Sequence, residues 1–311
     1  MITVLSLSPA IDKIYLVENF EAGKHFRTGN IIKSAGGKGI NVARVLSILG
    51  EEVTTLGFKA GISGDWLESK LIELNITAKF ISVPGESRTN SNIIDKVRGT
   101  ETELLEVGPN IFENSKSDFL KLFEDSLGSS KIIVCSGGLP EGLAADFYRV
   151  LIDKAGQLGI KTILDSSNET LAEGIKSKPY IVKPNLRELS NYTGRVLKDT
   201  NEIIDACRKI IQDGVDIVVT SLGSEGAILV SNEEILLGKI PTVEVINTIG
   251  SGDSVVAGLA FGYSHGYSVK EMFRLGIACG IANTQFAQIG IVSKELVQKY
   301  LKDIEIKIVD E

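Results

Sequence analysis

The sequence is poor in the residues that build metal and disulfide sites. Its 311 residues include only three cysteines and two histidines. Cys135, Cys207 and Cys279 are far apart, odd in number and without a Cys-x-x-Cys pair, which excludes a disulfide framework and a cysteine zinc site. His25 and His265 alone cannot assemble a histidine-rich metal centre. We therefore expect the cysteines to be reduced residues in the core of a cytoplasmic protein.

The sequence also lacks the signals of targeting and of membrane insertion. The segment from Met1 to Ser8 has no basic stretch and stops being apolar at Ser8, so it predicts a buried strand and not a signal peptide. No uncharged apolar run approaches the length of a membrane span. With 33 basic and 40 acidic residues the formal net charge is −7. That balance argues against nucleic acid as the main partner, but it allows a small anionic substrate.

Short apolar runs alternate with amphipathic ones along most of the chain. Several of the apolar runs are uniform, which is typical of strands covered on both faces. The predicted strands are 3–7, 53–58, 131–136, 161–164, 180–183, 217–221 and 227–230. The predicted helices are 39–49, 66–74, 115–127, 144–158, 201–213, 253–265, 269–285 and 294–302. This alternation predicts a single α/β domain over residues 1–311, with helices on both faces of a mostly parallel sheet.

Two polar, β-prone segments, about 11–33 and 88–106, interrupt that alternation. Within the second, Arg98-Gly99-Thr100 is typical of a hairpin turn. We expect the two segments to form a small β-sheet lid beside the main domain. A pair of ordinary surface hairpins is the alternative that the residues leave open.

The stretch from Asn247 to Gly258 is the most informative in the chain. It places Gly250-Ser251-Gly252-Asp253 where an extended segment gives way to an apolar, helix-period run. Glycines let backbone N–H groups approach a ligand closely, and the N-terminus of a helix attracts an anion. An acid beside such a cradle suits phosphoryl transfer, with amides holding phosphate charge and Asp253 accepting a proton from a hydroxyl.

A second glycine-rich turn, Gly36-Gly37-Lys38-Gly39-Ile40-Asn41, opens another predicted helix. Its glycines permit close approach to a polar ligand, Lys38 adds a positive charge, and the amide of Asn41 can both donate to and accept from sugar hydroxyls. It is neither a Walker A loop nor a dinucleotide-binding fingerprint. A plain strand-to-helix turn is the alternative.

Three further loops follow predicted strands, at the sheet edge where ligands bind in such folds. They are Ser136-Gly137-Gly138-Leu139-Pro140, Lys183-Pro184-Asn185-Leu186-Arg187-Glu188 and Thr220-Ser221-Leu222-Gly223-Ser224-Glu225-Gly226. Asn185 and Glu188 could serve Mg²⁺ through water, form a helix-capping box, or do both. Gly223 and Gly226 could bring N–H groups towards nucleotide phosphates, although a hairpin turn would need no function.

Arg27, Lys38 and Arg88 are candidate cations for a phosphorylated substrate. Guanidinium groups bind phosphate through two parallel hydrogen bonds. Single arginines on polar segments are usually solvated, so this interpretation depends on the convergence of the whole set.

In their order along the chain, these motifs resemble those of the ribokinase-like, PfkB-type sugar kinases. Residues 36–41 look like the family's N-terminal signature, 247–258 like its C-terminal signature, and 183–188 like its Mg²⁺-associated motif. The resemblance runs from Met1 to about Lys307. It implies a three-layer α/β/α sandwich with a small β-sheet lid, ATP and Mg²⁺ as cofactors, and the option of a homodimer formed through the lid.

The resemblance also implies roles for individual residues. Asp253 would be the catalytic base, with the amides of Gly250, Ser251 and Gly252 stabilising the transferred phosphoryl group. The sugar phosphate would contact Asp12, Gly36, Gly37, Lys38, Asn41, Arg88, Ser136 and Arg27. The nucleotide would contact Lys183, Asn185, Ser221, Gly223, Gly226 and Asn283. Asn185 and Glu188 would serve the metal through water.

Within the family, the chain looks like the branch of 1-phosphofructokinases and tagatose-6-phosphate kinases. It departs from that branch at Ser8, where an Asn is usual, and at Gly138, where a second Ser is usual. Residues 102–109 and 287–290 look closer to the tagatose group, which favours tagatose 6-phosphate over fructose 1-phosphate. A sugar-phosphate-binding regulator without catalysis is the alternative of another class. The presence of Asp253 argues against it, because binding alone needs no base there.

Overall fold

Residues 1–29 and 31–309, which this computed structural model describes, contain a ten-stranded sheet, a four-stranded sheet and ten α-helices. The strands are β1 (Ile2–Ser6), β2 (Ala10–Val17), β3 (Ile31–Gly36), β4 (Val53–Lys59), β5 (Thr77–Ser82), β6 (Arg88–Asp95), β7 (Thr100–Leu105), β8 (Ile132–Ser136), β9 (Lys161–Asp165), β10 (Ile181–Val182), β11 (Ile217–Ser221), β12 (Ala227–Ser231), β13 (Ile235–Lys239) and β14 (Glu305–Ile308). The helices are α1 (Lys38–Leu49), α2 (Gly61–Glu73), α3 (Glu113–Leu127), α4 (Phe147–Gln157), α5 (Asn168–Ile175), α6 (Leu186–Thr193), α7 (Thr200–Gln212), α8 (Ser251–Ser264), α9 (Val269–Asn283) and α10 (Lys294–Asp303).

The large sheet has the order β14-β13-β12-β11-β10-β9-β8-β1-β4-β5. Its strands are parallel from β5 to β11, and the remaining three are antiparallel. The uniform apolar runs are explained by β8, where Ile132 and Val134 face one hydrophobic core while Ile133 and Cys135 face a second. The first core packs under α1, α2 and α8–α10, and the second under α3–α7. The predicted three-layer α/β/α sandwich is confirmed.

Five elements were not among the predicted ones. The missed strands β5, β13 and β14 lie towards the two edges of the large sheet, and β5 and β14 have lost the burial pattern that marks a central strand. The missed helices α5 and α6 have only eight residues each, too few for a clear helical period. Helix α2 begins five residues before its prediction, at Gly61, where the distant Glu86 accepts a hydrogen bond from the N–H of Ser63 at 2.5 Å.

The second sheet, here called the small sheet, has the order β3-β2-β6-β7. Its central pair, β2 and β6, is parallel, so the two polar segments form one sheet and the alternative of two separate surface hairpins is wrong. β6 and β7 form the predicted hairpin, with its turn at residues 96–99, slightly before the predicted Arg98-Gly99-Thr100. On its inner face, Ile14 and Ile94 pack against Ile289 of the main domain.

None of the helices in the described part of the chain is long and apolar enough to cross a membrane.

Candidate active site

A cleft of about 1040 Å³ lies between the small sheet and the carboxyl ends of the parallel strands. Strands β1, β8 and β11 and helices α1, α6 and α8 place residues at its wall, because loops at this edge lead directly from strand to helix. Most of the predicted site residues line it: Asp12, Gly37, Lys38, Asn41, Arg88, Ser136, Lys183, Asn185, Glu188, Ser221, Gly223, Gly250, Ser251, Gly252 and Asp253.

Asp253 lies in the first turn of α8 and is 6% exposed. Its Oδ2 accepts a hydrogen bond from Asn41 Nδ2 at 2.9 Å. Burial raises the pKa of Asp253 to about 6; the ammonium of Lys38 opposes this shift, and the negative charge of Asp165 adds to it. A carboxylate with this pKa is largely ionised at neutral pH and holds a proton more readily than an ordinary aspartate, which suits a general base.

The backbone before Asp253 forms an anion cradle. Gly250 has the left-handed φ of 81°, and a Cβ there would come within 2.7 Å of Ile289 Cγ2. Among the described residues, the N–H groups of Gly250, Gly252 and Asp253 have no hydrogen-bond partner. The N–H of Ser251 differs from the expectation, because it donates to the carbonyl of Thr248 at 3.2 Å. The cradle is therefore built from Gly250, Gly252 and Asp253.

The buried carboxylate of Asp165 contacts the ammonium groups of two lysines close to this cradle. Asp165, at the end of β9, is 0% exposed. Its Oδ1 lies 3.3 Å from both Lys38 Nζ and Lys183 Nζ, and its Oδ2 accepts a hydrogen bond from Ser136 Oγ at 3.4 Å. Gly252 lies next to this cluster, since a Cβ there would be 3.4 Å from Lys183 Nζ.

The two ammonium groups decide the charge states of the cluster. Burial alone would raise the pKa of Asp165, but Lys183 and Lys38 outweigh it and hold that pKa below its usual range. Burial likewise would lower the pKa of Lys38, but Asp165, Asp253 and Glu188 raise it above its usual range. Lys38 is thus cationic, and its side chain remains 39% exposed to the cleft.

On the opposite wall, Asp12 and Arg88 lie on neighbouring strands of the small sheet. Asp12 Oδ1 accepts a hydrogen bond from Asn90 Nδ2 at 2.9 Å. Arg88 donates through Nε and Nη2 to the carbonyl of Ser8 at 3.3 and 3.1 Å. Burial raises the pKa of Asp12, with Asn90, Arg44 and Arg88 opposing the shift. At this part of the wall, Arg88 offers a guanidinium and Asp12 a carboxylate to a polar ligand.

Arg44 supports the site from inside α1. It is buried and donates to the backbone carbonyls of Ala35 and Ile289, the second at 2.6 Å. It also lies 3.4 Å from Asn41 Oδ1, which leaves the Nδ2 of Asn41 to donate to Asp253. Arg44 therefore fixes the orientation of the Asn41 amide.

Asn185 and Glu188 form the expected capping box at the start of α6. Asn185 Oδ1 accepts from the N–H of Glu188, and Glu188 Oε2 accepts from the N–H of Asn185, both at 2.9 Å. The second oxygen of Glu188 lies 4.0 Å from Lys38 Nζ, beyond hydrogen-bond reach. Within the part of the chain that the structure describes, no group of three or more His, Cys, Asp or Glu side chains could hold a metal.

Four predicted site residues do not line the cleft. Arg27 is exposed on the connection between β2 and β3, and Gly36 lies against the Asp12 carboxylate, with which a Cβ would collide. Gly226 lies against the carbonyl of Gly238, immediately before the start of β12. Asn283 is 0% exposed; it donates to the carbonyl of Ile249 and accepts from the N–H of Gly290, both at 2.9 Å. Its side chain therefore links the residues on either side of the cradle, and its contact with a nucleotide stays a prediction.

Asp165, Asn90 and Arg44 were not predicted. Asp165 directly follows the apolar run 161–164, so the rule that selected Ser136 and Lys183 would also have selected it. Asn90 lies two residues after Arg88 and so shares its face of the strand. Arg44 gave no sequence signal, because its partners come from other parts of the chain.

The profile of the pfkB family of carbohydrate kinases matches residues 1–291. A tagatose-6-phosphate kinase of Staphylococcus epidermidis is 38% identical over 315 aligned positions, covering 98% of this chain and 99% of the relative. A 1-phosphofructokinase of Bacillus subtilis is 33% identical, covering 98% and 99%. The crystal structure of phosphofructokinase-2 from Escherichia coli in complex with substrates and products matches with a TM-score of 0.88 at 29% identity, covering 97% and 98%. With its two sheets, its cleft and these relatives taken together, the chain belongs to the pfkB family of carbohydrate kinases.

Proposed function

We propose that the protein phosphorylates a ketohexose monophosphate to the 1,6-bisphosphate with ATP, and that tagatose 6-phosphate is its preferred substrate. The observation that carries this proposal is the position of Asp253. Its buried carboxylate lies beside N–H groups without partners and shares one cleft with Arg88 and Asp12. A base, an anion cradle and a second anion site are the parts that phosphorylation of a sugar phosphate requires.

The substrate's existing phosphate binds at Arg88. The hydrogen bonds to Ser8 hold the guanidinium in place and leave Nη1 only a 3.4 Å contact with Asn90. Lys38 supplies a second positive charge from the opposite wall. The sugar hydroxyls lie between these charges. The Asp12 carboxylate accepts hydrogen bonds from them, and the Asn41 amide can both donate to them and accept from them.

Asp253 accepts the proton of the attacking hydroxyl as that oxygen bonds to the γ-phosphorus of ATP. The bond from that phosphorus to the β,γ-bridging oxygen breaks, and ADP leaves. The N–H groups of Gly250, Gly252 and Asp253 hold the charge on the transferred phosphoryl oxygens. Lys183, under Gly252, adds a fixed positive charge on the same side.

The nucleotide lies along the loop of Ser221 and Gly223, which lines the cleft beyond Asn185. Asn185 and Glu188 are the residues that would serve Mg²⁺, through water, because each keeps an oxygen lone pair outside the capping box. The chemistry that Mg²⁺ supplies when bound is neutralisation of charge on the phosphate oxygens. Phosphates and water would complete its ligands.

The choice of tagatose 6-phosphate rests on relatives and on local sequence. The tagatose-6-phosphate kinase is the more similar of the two curated relatives, at 38% against 33% identity. Fructose 1-phosphate is the second candidate substrate, since it presents the same two ends to Arg88 and Asp253 in reversed order. A sugar-phosphate-binding regulator is the candidate of another class.

A coupled assay of ADP release tests these alternatives directly. The purified chain is assayed with tagatose 6-phosphate, fructose 1-phosphate and fructose 6-phosphate, with and without Mg²⁺. We expect the largest kcat/KM for tagatose 6-phosphate and no turnover without the metal. A larger kcat/KM for fructose 1-phosphate would assign the second candidate. Absence of ADP release with every sugar phosphate, in a chain that still binds one, would favour the regulator.

The small sheet also offers a surface for a homodimer. Its outer face carries Tyr15, Ile31 and Ile93 in one row across three strands, with Leu104 nearby at 60% exposure. An exposed apolar sheet face of this kind is typical of a protein interface. We propose a cytoplasmic dimer paired through this face. Sedimentation of the wild type and of Leu104→Lys tests it, with a monomeric variant as the expected result and equal mass as the contrary one.

A further inference from the structure

The amide oxygen of Asn92, on the inner face of the small sheet, has no hydrogen-bond partner among the described residues. Asn92, on β6, is 2% exposed and lines the cleft. Its Oδ1 is buried and receives no hydrogen bond from any described residue. A buried polar group left in this state destabilises the folded chain. The amide of Asn92 is therefore retained at a position where folding makes no use of its oxygen.

The neighbours of Asn92 on the same face of β6 are already engaged. Asn90, two residues earlier, donates to Asp12 and lies 3.4 Å from Arg88. Ile94, two residues later, belongs to the apolar cluster that joins the small sheet to the main domain. Asn92 thus stands at the end of the polar part of this face, with its amide available to a ligand in the cleft.

Glu103 lies directly opposite Asn92 in the antiparallel pair of β6 and β7, and it also lines the cleft. Residues paired in this way share a face, with Cβ atoms roughly 4.5–5.5 Å apart. No hydrogen bond or ion pair to another described residue engages the Glu103 carboxylate. Burial raises the pKa of Glu103, the charges of Glu101 and Asp12 add to this shift, and Arg187 opposes it.

An amide beside a carboxylate selects a hydroxyl group. The amide N–H donates to the hydroxyl oxygen, and the carboxylate accepts the hydroxyl proton. A phosphate is disfavoured at this position because the negative charge of Glu103 would repel it. The cations that suit phosphate, Arg88 and Lys38, lie elsewhere in the cleft.

We propose that Asn92 and Glu103 form a hydroxyl subsite that distinguishes the configuration of the ketohexose at carbon 4. The inference rests on the proposed function, in which Arg88 and Asp253 hold the two ends of the sugar. The small sheet then covers the middle carbons. Tagatose 6-phosphate and fructose 6-phosphate differ only at carbon 4, so the subsite sets the preference between these two sugar phosphates.

The ratio of kcat/KM for tagatose 6-phosphate to that for fructose 6-phosphate measures this contact. In Asn92→Ala and Glu103→Gln we expect the ratio to move at least about tenfold towards one, with the KM for ATP unchanged. If fructose 1-phosphate is the better substrate, tagatose 1-phosphate replaces the epimer in the same ratio. Glu101→Gln is the matched control. Glu101 lies on β7 like Glu103, accepts a hydrogen bond from the Thr248 hydroxyl and does not line the cleft. Its ratio should equal that of the wild type.

Thermal melting separates a subsite from a structural role. Because Asn92 Oδ1 has no partner, Asn92→Ala without ligand should melt no lower than the wild type, whereas its stabilisation by saturating sugar phosphate should shrink. An unchanged ratio in both variants of an active enzyme would overturn the subsite. A wild type that releases no ADP would overturn the proposed function instead. In that case, the rise in melting temperature on addition of sugar phosphate, compared between the wild type and the two variants, tests whether the subsite exists.

Discussion

Asn41 and Asp253 are joined by a hydrogen bond of 2.9 Å across 212 residues of sequence. Asn41 belongs to the glycine-rich turn that opens α1, and Asp253 belongs to the one that opens α8. The hydrogen bond therefore connects these two glycine-rich motifs of the chain. Arg44 donates to the Oδ1 of Asn41, and Asp253 accepts a hydrogen bond from the Nδ2 of Asn41. The carboxylate of Asp253 is thereby held by helix α1, which begins at the first glycine-rich turn.

Replacement of Asp253 by asparagine should remove catalysis and keep binding. We expect turnover to fall at least ~100-fold, since a positioned general base contributes about that much or more. Stabilisation of the folded chain by sugar phosphate should persist, because Arg88 and Asp12 are untouched. Steady-state kinetics and thermal melting on the same preparation check both parts, and near-normal turnover would contradict the assignment.

The raised pKa of Asp253 also predicts the pH dependence of the wild type. The base works when ionised, so kcat/KM should fall about tenfold per unit as pH drops below about 6. The stability of the folded chain depends on pH in the opposite direction. When the folded pKa of a carboxyl group exceeds its unfolded pKa, the protein is destabilised as pH rises through the folded pKa. Asp253→Asn should therefore melt higher than the wild type at pH 7.5, and the gain should vanish near pH 4, close to the ordinary pKa of 3.8. Melting curves across this range check the sign.

Arg88→Ala should weaken binding of the sugar phosphate far more than binding of ATP. Loss of a hydrogen bond to a charged phosphate costs about 1.5–3 kcal/mol, or roughly 10- to 150-fold in affinity. Arg98→Ala is the matched control, because this arginine lies exposed at the turn between β6 and β7 and does not line the cleft. Equal losses for both ligands in Arg88→Ala, or a comparable loss in Arg98→Ala, would count against the phosphate site.

Asn283→Ala tests whether the Asn283 side chain stabilises the backbone around Gly250 or contacts the nucleotide. The side chain holds the carbonyl of Ile249 and the N–H of Gly290 on either side of Gly250. Its removal should lower kcat and the melting temperature, because the cradle loses two hydrogen bonds, and leave the KM for ATP near the wild-type value. A selective rise in the KM for ATP would restore the expectation that Asn283 contacts the nucleotide.

The sequence predicts the parts of this molecule that depend on local pattern. Apolar runs predicted the central strands, and the glycine turns at residues 36–41 and 250–253 predicted the two ends of the cleft. Contacts between distant segments were not predictable in this way. Asp165 becomes central only because Lys38 and Lys183 meet it from other loops, and Asn283 turns away from the cleft because Ile249 and Gly290 engage it. The roles of the site residues stay predictions until they are tested.

The parallel pairing of β2 and β6 has a consequence for how the protein is made. Parallel neighbours cannot be joined by a tight turn, and here β3, β4, β5, α1 and α2 lie between them in the chain. Asp12 and Arg88 can therefore meet only after these intervening elements of the chain have been synthesised. A nascent or truncated chain that ends before Arg88 leaves Asp12 without β6, the strand on which its partners Asn90 and Arg88 lie.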